Sequence, residues 1–152
     1  MYLLDTNILS ETSPAKAKRN EGVVDWLRRN EESLYISVVT LTELSYGIER
    51  LELRRARAKA AQLREWASIA MHLYRSRLVF VTDEIALLAG RLIAEAENEG
   101  ARPSFEDALI AASAQQIGAT VLTENVRHFA PMGVRHINPF KTLPPDIEPT
   151  AG

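Results

Sequence analysis

Five short β-type runs alternate with longer helical patterns along this chain of 152 residues. Four of the runs are almost continuously apolar, which is typical of strands that are covered on both faces of a sheet. The fifth is more polar and is expected at an edge. The alternation predicts an α/β domain with a central, mainly parallel sheet of about five strands flanked by helices. The predicted strands are residues 2–4, 34–37, 78–81, 120–122 and 134–137.

Helical patterns fill the intervals between these runs. One covers residues 23–30, and a longer one extends from about residue 40 to 76 with a break near Leu53. Two more cover 83–99 and 105–117, with Thr82 and Ser104 as N-cap candidates, and one turn follows Asn125. Because residues 141–152 are rich in proline and poor in apolar side chains, we predict a single domain over 1–140 and an irregular, mobile C-terminal tail over 141–152.

Composition excludes several kinds of chemistry. The chain has no cysteine, which excludes disulfides, thiolate metal sites and a cysteine nucleophile. Its three histidines, His72, His128 and His136, form no cluster, so a histidine-rich zinc site is not expected, and each is interpreted as structural or exposed. The formal net charge is −2, so any polyanionic partner must be bound by a local basic patch or by metal ions.

Neither a targeting signal nor a membrane segment is predicted. Met1 leads directly into the first apolar run, without a basic region or a long apolar stretch after it. The longest apolar runs are too short to cross a bilayer. We therefore expect a soluble, cytoplasmic protein that does not associate with membranes.

Acidic and polar residues follow the ends of the predicted strands, where open α/β sheets bind ligands. Asp5 follows the first strand, Glu43 opens the helix after the second, and Asn125 follows the fourth, while Asp107 lies in the first turn of the preceding helix. Three neighbouring carboxylates raise one another's pKa values, and a hard divalent cation such as Mg²⁺ or Mn²⁺ relieves that repulsion. The sequence thus favours a carboxylate metal site.

Each of these residues also has a purely structural interpretation. Asp5 and Asn125 are good helix N-caps, and Glu43 is an acid of the kind that helix dipoles favour in the first turn. Asp107 stands three residues after Ser104, which is the spacing of a capping box. Only the joint placement of the four favours a functional site.

Four sequence motifs carry a family resemblance. They are MYLLDTNILSE at 1–11, ISVVTLTEL at 36–44 with Gly47-Ile48 beyond it, DALIAA at 107–112 and VLTENVRHF at 121–129. In this order and spacing they resemble the PIN-domain family, and more closely its VapC-type toxins of bacterial type II toxin–antitoxin pairs, in the FitB-like branch. The motifs bracket about residues 1–140, so the resemblance implies a PIN domain there.

The resemblance implies a metal-dependent endoribonuclease in which Asp5, Glu43 and Asp107 hold Mg²⁺ or Mn²⁺. The fourth family position falls on Asn125, whereas many relatives carry Asp there. Because Asn is neutral, a second metal ion would be held less well. The resemblance also implies cleavage that leaves a 5′-phosphate and a 3′-hydroxyl.

Supporting residues and partners are implied in the same way. Thr6 and Thr123 are expected to be supporting hydroxyls at the site. The expected partners are RNA as the substrate, a cognate VapB/FitA-like antitoxin that blocks a groove near the site, and a second copy of the chain in a homodimer. A larger complex with operator DNA would form through the antitoxin.

Residues 50–77 form a basic segment in an otherwise acidic chain. It contains eight arginines and lysines against two glutamates, a local charge of +6. Its apolar residues, including Leu63 and Trp66, have the spacing of a buried helical stripe. A solvated helix face, phosphate binding and docking to an acidic or amphipathic partner all remain possible interpretations.

Two other functional interpretations compete with the nuclease. A haloacid-dehalogenase-type phosphohydrolase also begins with an apolar strand that ends in Asp. It needs a second Asp where this chain has Asn7 and a later Lys, and no lysine occurs between Lys59 and Lys141. The non-enzymatic alternative is a PIN-like scaffold that binds RNA or a protein without cutting. The Asn at position 125 suits such a scaffold, whereas the three intact acids argue against it.

Overall fold

A computed structural model describes residues 1–147 of the chain. All five strands of its sheet run parallel, in the order β3-β2-β1-β4-β5. This confirms the predicted α/β fold with a five-stranded parallel sheet. The strands are β1 (Tyr2–Leu4), β2 (Leu34–Ser37), β3 (Leu78–Val79), β4 (Thr120–Leu122) and β5 (His136–Ile137).

Seven α-helices flank the sheet in the described part of the chain, and short 3₁₀ turns extend several of them. The break predicted near Leu53 lies between α3 and α4, where Arg55 adopts a left-handed φ of 62°. The helix before it begins at Val38 rather than near residue 40, because the Ser37 hydroxyl accepts a hydrogen bond from the Val39 amide at 3.2 Å. The helices are α1 (Thr6–Leu9), α2 (Glu21–Arg29), α3 (Val38–Leu53), α4 (Arg57–Leu73), α5 (Asp83–Asn98), α6 (Phe105–Gln116) and α7 (Val126–Phe129).

Two of the predicted strands are shorter in the structure. The third ends at Val79, not at residue 81, because its only neighbour, β2, ends at Ser37, the residue paired with Val79. Phe80 lies beyond this pairing and is 65% exposed. The last strand begins at His136, not at residue 134, since only two of its residues pair with β4. Residue Val134 is instead buried in the core.

The central strand β1 divides the core into two clusters, because successive side chains of a strand point to opposite faces. Leu3 packs on one side with residues of α5 and α6, whereas Tyr2 and Leu4 pack on the other side with residues of α2 and α4. Burial on both faces explains why the strands read as continuous apolar runs. The same arrangement places the end of β1 in the middle of the sheet edge.

The segment 141–147 contains no helix or strand, yet it packs back against the domain. The Asn30 side chain makes two contacts with it. Its Nδ2 donates to Asp146 Oδ1, and its Oδ1 accepts from the backbone amide of Ile147, both at 2.8 Å. Ile147 also packs against the core cluster that contains Tyr2. This part of the predicted tail is therefore held by contacts and does not extend freely, while residues 148–152 lie outside the described residues.

None of the helices within residues 1–147 combines the length and the hydropathy that a bilayer crossing requires.

Candidate active site

Three separate elements bring the predicted acids to one edge of the sheet. Asp5 follows β1 directly, Glu43 lies on α3, which begins where β2 ends, and Asp107 lies in the first turn of α6. The chain between β1 and α1 is fixed to β4 by a hydrogen bond of 3.0 Å from the Asp5 amide to the Leu122 carbonyl. The parallel topology thus assembles the site from residues that are far apart in sequence.

The carboxylate of Asp5 is the most buried of the three, with its residue only 4% exposed. It accepts hydrogen bonds from the Thr6 amide at 2.8 Å, the Asn7 side chain at 2.7 Å and the Thr123 hydroxyl at 2.6 Å. Burial raises the pKa of Asp5, and the nearby charge of Asp107 raises it further, against the opposing effect of these hydrogen bonds. Asp5 is also the N-cap of α1, as its structural interpretation predicts, and this role does not prevent it from facing the candidate site.

Glu43 faces the same site from α3. Its carboxylate accepts a hydrogen bond from the Thr6 hydroxyl. Burial raises the pKa of Glu43, and the charges of Asp5, Asp107 and Glu106 raise it further. These shifts show that the acids share one electrostatic environment, in which each additional negative charge disfavours the others.

Asp107 has a role at the start of α6 and a contact with a histidine. Its backbone amide donates to the Ser104 hydroxyl at 3.1 Å, as the capping interpretation predicts. Its carboxylate Oδ2 lies 3.0 Å from Nδ1 of His128. His128, predicted to be structural or exposed, has a side chain that is 39% exposed and that also contacts this candidate site residue. The only signal in the sequence is its position within the same 121–129 motif as Asn125.

Thr123 and Asn7 connect the loops that follow β1 and β4. The fully buried Thr123 hydroxyl donates to Asp5 and accepts a hydrogen bond of 2.9 Å from the Asn125 amide. Asn7 donates to Asp5 and accepts from the Glu124 amide at 3.0 Å. Sequence reasoning assigned no supporting role to Asn7, although it stands in the same motif as Asp5.

Unlike the side chains of Thr6 and Thr123, the side chain of Asn125 forms no hydrogen bond with the site acids. It is exposed, and its side chain makes no hydrogen bond within residues 1–147. Asn125 occupies the predicted N-cap position of α7, but its side chain forms no capping hydrogen bond. The structure fixes only its backbone, through Thr123.

The donor set at this site suits a hard cation with part of its shell supplied by water. Carboxylate and hydroxyl oxygens from Asp5, Glu43, Asp107 and Thr6 meet here, and Mg²⁺ prefers oxygen ligands. Within the described residues, however, no group of three acidic or histidine side chains is close enough to ligate one ion together. Mg²⁺ is usually bound by one or two carboxylates and several waters, and the residues present fit that kind of site.

A groove of about 440 Å³ begins at the acids and extends between α3 and α4. Thr6 and Glu43 line the end at the site. The remainder combines apolar walls with two lysines, and its main members are Leu44, Ile48, Leu51, Leu63, Trp66, Lys16 and Lys59. The groove is thus mainly apolar with a basic component.

Three of the eight arginines and lysines in the basic segment 50–77, Arg57, Arg64 and Arg77, are paired with acids on the protein's own surface. Arg64 lies 3.2 Å from Glu49, and Arg77 lies 3.7 Å from Glu31. Such exposed ion pairs contribute little stability, but they reduce the positive charge that is free for a partner. Lys59 is the member of this segment that both carries a charge and lines the groove.

The chain is similar to several known bacterial proteins over nearly its whole length. It is 32% identical to the toxin FitB of Neisseria gonorrhoeae, with 92% of this chain and 99% of FitB covered. It is also 32% identical to the plasmid stability protein StbB of Pseudomonas syringae pv. tomato, over 93% of this chain and 99% of StbB. The VapC ribonuclease Y4jK of Sinorhizobium fredii is 31% identical, over 93% of this chain and 99% of Y4jK.

Solved structures agree with these relatives. The crystal structure of FitAcB from Neisseria gonorrhoeae superposes with a TM-score of 0.81 at 30% identity, covering 92% of this chain and 99% of the other. A structure of FitAB bound to the IR36 DNA fragment gives 0.77 at 27% identity, covering 92% and 96%. The family model described as PIN domain matches residues 2–132. With the acids at the expected edge of a five-stranded parallel sheet, this protein is a member of the PIN-domain family.

Proposed function

We propose that this protein is a Mg²⁺-dependent endoribonuclease, with Mn²⁺ as an alternative ion, and that it acts in the cytoplasm as the toxin of a VapBC-type toxin–antitoxin pair. The observation that carries the proposal is the convergence of Asp5, Glu43 and Asp107 from three elements on one sheet edge, where Asp5 and Glu43 both accept hydrogen bonds from Thr6. PIN-domain nucleases generally use divalent metals, and similar proteins carry ribonuclease names. Buried acids that repel one another are stabilised by a bound cation.

The residues have distinct roles in this proposal. Asp5, Glu43 and Asp107 are the acids of the metal site, where one or two of them would ligate a divalent ion directly and the remainder would act through its waters. Such an ion would neutralise charge at the scissile phosphate and lower the pKa of a bound water. Thr6 and Thr123 orient the carboxylates of Glu43 and Asp5. Asn125 supplies a neutral fourth position, which favours one tightly held ion over two.

Glu43 is suited to orienting the attacking water. A bound cation would keep its carboxylate charged, and a charged carboxylate accepts a strong hydrogen bond from that water. The water oxygen forms a bond to phosphorus, the bond from phosphorus to the 3′ oxygen breaks, and that oxygen takes up a proton. The products are a 5′-phosphate and a 3′-hydroxyl.

The decisive experiment compares two aspartate-to-asparagine variants. In Mg²⁺, the native protein and Asp25→Asn are expected to cleave a mixed pool of cellular RNA, whereas Asp5→Asn is expected to be inactive. Asp25 is the matched control because its side chain is 60% exposed on α2. EDTA should abolish cleavage by the native protein, and renewed Mg²⁺ should restore it.

Retained cleavage by Asp5→Asn, with an unchanged melting temperature, would overturn the assignment. If the native protein binds RNA but cleaves none in Mg²⁺ or Mn²⁺, the non-catalytic scaffold is the better description. Calorimetric titration with Mg²⁺, with and without Asp107→Ala, separates the two, since a scaffold without a metal site gives no binding heat in either protein.

The groove beside the acids supports the toxin role. Solved structures of similar chains are complexes described as FitAB and VapBC on DNA. We propose that a cognate FitA/VapB-like antitoxin inserts an amphipathic segment into the groove, where Leu44 and Trp66 offer apolar contacts, and thereby blocks Glu43. Operator DNA would then be bound through the antitoxin. A homodimer is also expected, and sedimentation equilibrium measures it.

A groove-wall substitution tests this partner. The probe is the proposed cognate antitoxin, purified together with the toxin. Leu51→Lys is expected to weaken the complex at least tenfold and to leave RNA cleavage intact, because it introduces a charge into an apolar contact. Leu87→Lys is the control, since that side chain is 77% exposed on α5. Equal affinity of both variants for the probe would exclude the groove.

A further inference from the structure

A second cavity, of about 160 Å³, shares Asp107 with the candidate active site. It lies between residues 101–104, which precede α6, and the region around α7. Arg102 and Arg127 line it from these two segments, together with Ser104, His128 and the Asp107 carboxylate. We name it the arginine cavity. At roughly 30 Å³ per water, it holds about five waters or one phosphate group with part of its hydration shell.

The two arginines of the arginine cavity have no acidic partner in the described part of the chain, a property they share with other exposed arginines such as Arg91, but they lie beside the candidate active site. Arg57, Arg64 and Arg77 each have an acidic partner within 4 Å. By contrast, Arg102 and Arg127 are exposed and take part in no ion pair within residues 1–147. Two arginines without a carboxylate partner in that range therefore line the cavity.

The Asp107 carboxylate, which also lines the cavity, is already occupied. Its Oδ2 contacts His128 Nδ1 at 3.0 Å, and it faces the candidate metal site formed with Asp5 and Glu43. The two arginines are thus left to bind an anion from outside the protein. Guanidinium groups bind phosphate oxygens through paired, charge-assisted hydrogen bonds.

We propose that the arginine cavity binds a backbone phosphate of the RNA strand, next to the phosphate that is cleaved. The inference rests on the proposed nuclease function, and it adds a substrate-binding site that consists of Arg102 and Arg127. The chain has a net charge of −2 and gathers acids at its site, so a phosphate-bearing strand is repelled unless cations lie close by. A contact to a backbone phosphate positions the strand and reads no base sequence.

The test uses a short, fluorescein-labelled single-stranded RNA in EDTA, so that binding is measured without cleavage. We compare the native protein with the cavity double variant, Arg102→Gln/Arg127→Gln. The charge-matched double control is Arg28→Gln/Arg91→Gln, and Arg28→Gln alone is the single control. Arg28 belongs to α2, which packs on the other face of the sheet, and Arg91 is exposed on α5. Anisotropy is recorded over a series of NaCl concentrations.

The expected result is a roughly three- to tenfold weaker affinity for the cavity double variant than for the double control. The slope of log affinity against log salt should also fall by about 0.7 for each arginine that contacts a phosphate. Arg127→Lys should recover part of the affinity, because it restores the charge without the paired geometry. Under cleavage conditions in Mg²⁺, KM should rise while kcat changes little.

Three outcomes overturn the proposal: an unchanged salt slope in the cavity double variant, the same loss in the double control, or no RNA binding by the native protein. Loss of antitoxin binding without loss of RNA binding would reassign the cavity to the protein partner and overturn it as well. If the arginine-dependent salt slope is present but no cleavage occurs in Mg²⁺ or Mn²⁺, the nuclease function fails and the phosphate site stands. If cleavage occurs with an unchanged slope, the nuclease function stands and the phosphate site fails.

Discussion

Two buried carboxylates lie six residues apart at the beginning of this chain, and they are stabilised in different ways. Glu11 is 1% exposed, and its carboxylate is paired with Lys16 and accepts a hydrogen bond of 2.8 Å from the Asn20 amide. Asp5 is 4% exposed, has only neutral donors around it and faces Glu43 and Asp107. A buried acid with its own cation can serve structure alone, whereas one that faces other acids depends on a cation from solution.

The largest expected difference between the two regions is in RNA cleavage. Asp107→Asn is expected to lower kcat/KM at least about a hundredfold in Mg²⁺, because it removes a metal-binding charge. Glu11→Gln is expected to change kcat/KM by less than about threefold at a temperature where it is folded, since its partners are Lys16 and a backbone amide. A hundredfold loss in both variants would show that the two carboxylates do not differ in role.

The next effect is on stability, and it falls on the other carboxylate. Glu11→Gln is expected to lower the free energy of unfolding by about 1–3 kcal/mol, because the charged partner of Lys16 is lost and the buried group keeps weaker hydrogen bonds. Urea denaturation measures the change, with Glu32→Gln as the control because Glu32 is exposed. Equal midpoints for the two variants would contradict a structural role for Glu11.

The smallest effect concerns pH in the metal-free protein. The pKa of Glu43 is raised from its ordinary value of 4.5, so the folded protein holds its proton more tightly than the unfolded chain. Native stability therefore has a component that falls as pH rises from about 4.5 to the folded pKa. Glu43→Gln lacks this component, so its melting temperature relative to native should increase across that window.

Added Mg²⁺ is expected to favour the native protein over Glu43→Gln, because the ion stabilises the charged carboxylates. It should raise the melting temperature of the native protein, and do so less for Glu43→Gln. Glu32→Gln is the control. Its melting temperature should differ from that of the native protein by the same amount at every pH, and Mg²⁺ should raise both melting temperatures equally. A constant difference for Glu43→Gln as well would show that Glu43 titrates normally in the folded protein.

The sequence was sufficient to predict the features that follow from topology. Asp5 and Glu43 follow neighbouring parallel strands, and the rule that parallel strands end at one edge predicts that they meet. The PIN-type motifs place Asp107 with them, although α6 precedes β4. The alternation of strands and helices likewise predicts the parallel sheet, although not the order of its strands.

Contacts that depend on side-chain rotamers could not be predicted in this way. The hydrogen bond between Asn7 and Asp5 and the contact between His128 and Asp107 join groups whose relative orientation no periodicity specifies. The ends of β3 and β5 depend on where the neighbouring strand stops, which the apolar pattern of one run does not show. The exposed position of the Asn125 side chain could not be predicted either, because hydrogen bonds fix only the backbone of this residue.

The position of β1 at the centre of the sheet has a consequence for the order of events during synthesis. Strand β1 pairs with β2 and with β4, whose residues 120–122 are synthesised more than a hundred residues after it. Such non-local pairing folds slowly, and at about 5–20 residues per second the nascent chain waits several seconds for its last partner. The acids at positions 5, 43 and 107 therefore assemble only once most of the chain has emerged, so an incomplete translation product lacks the assembled site.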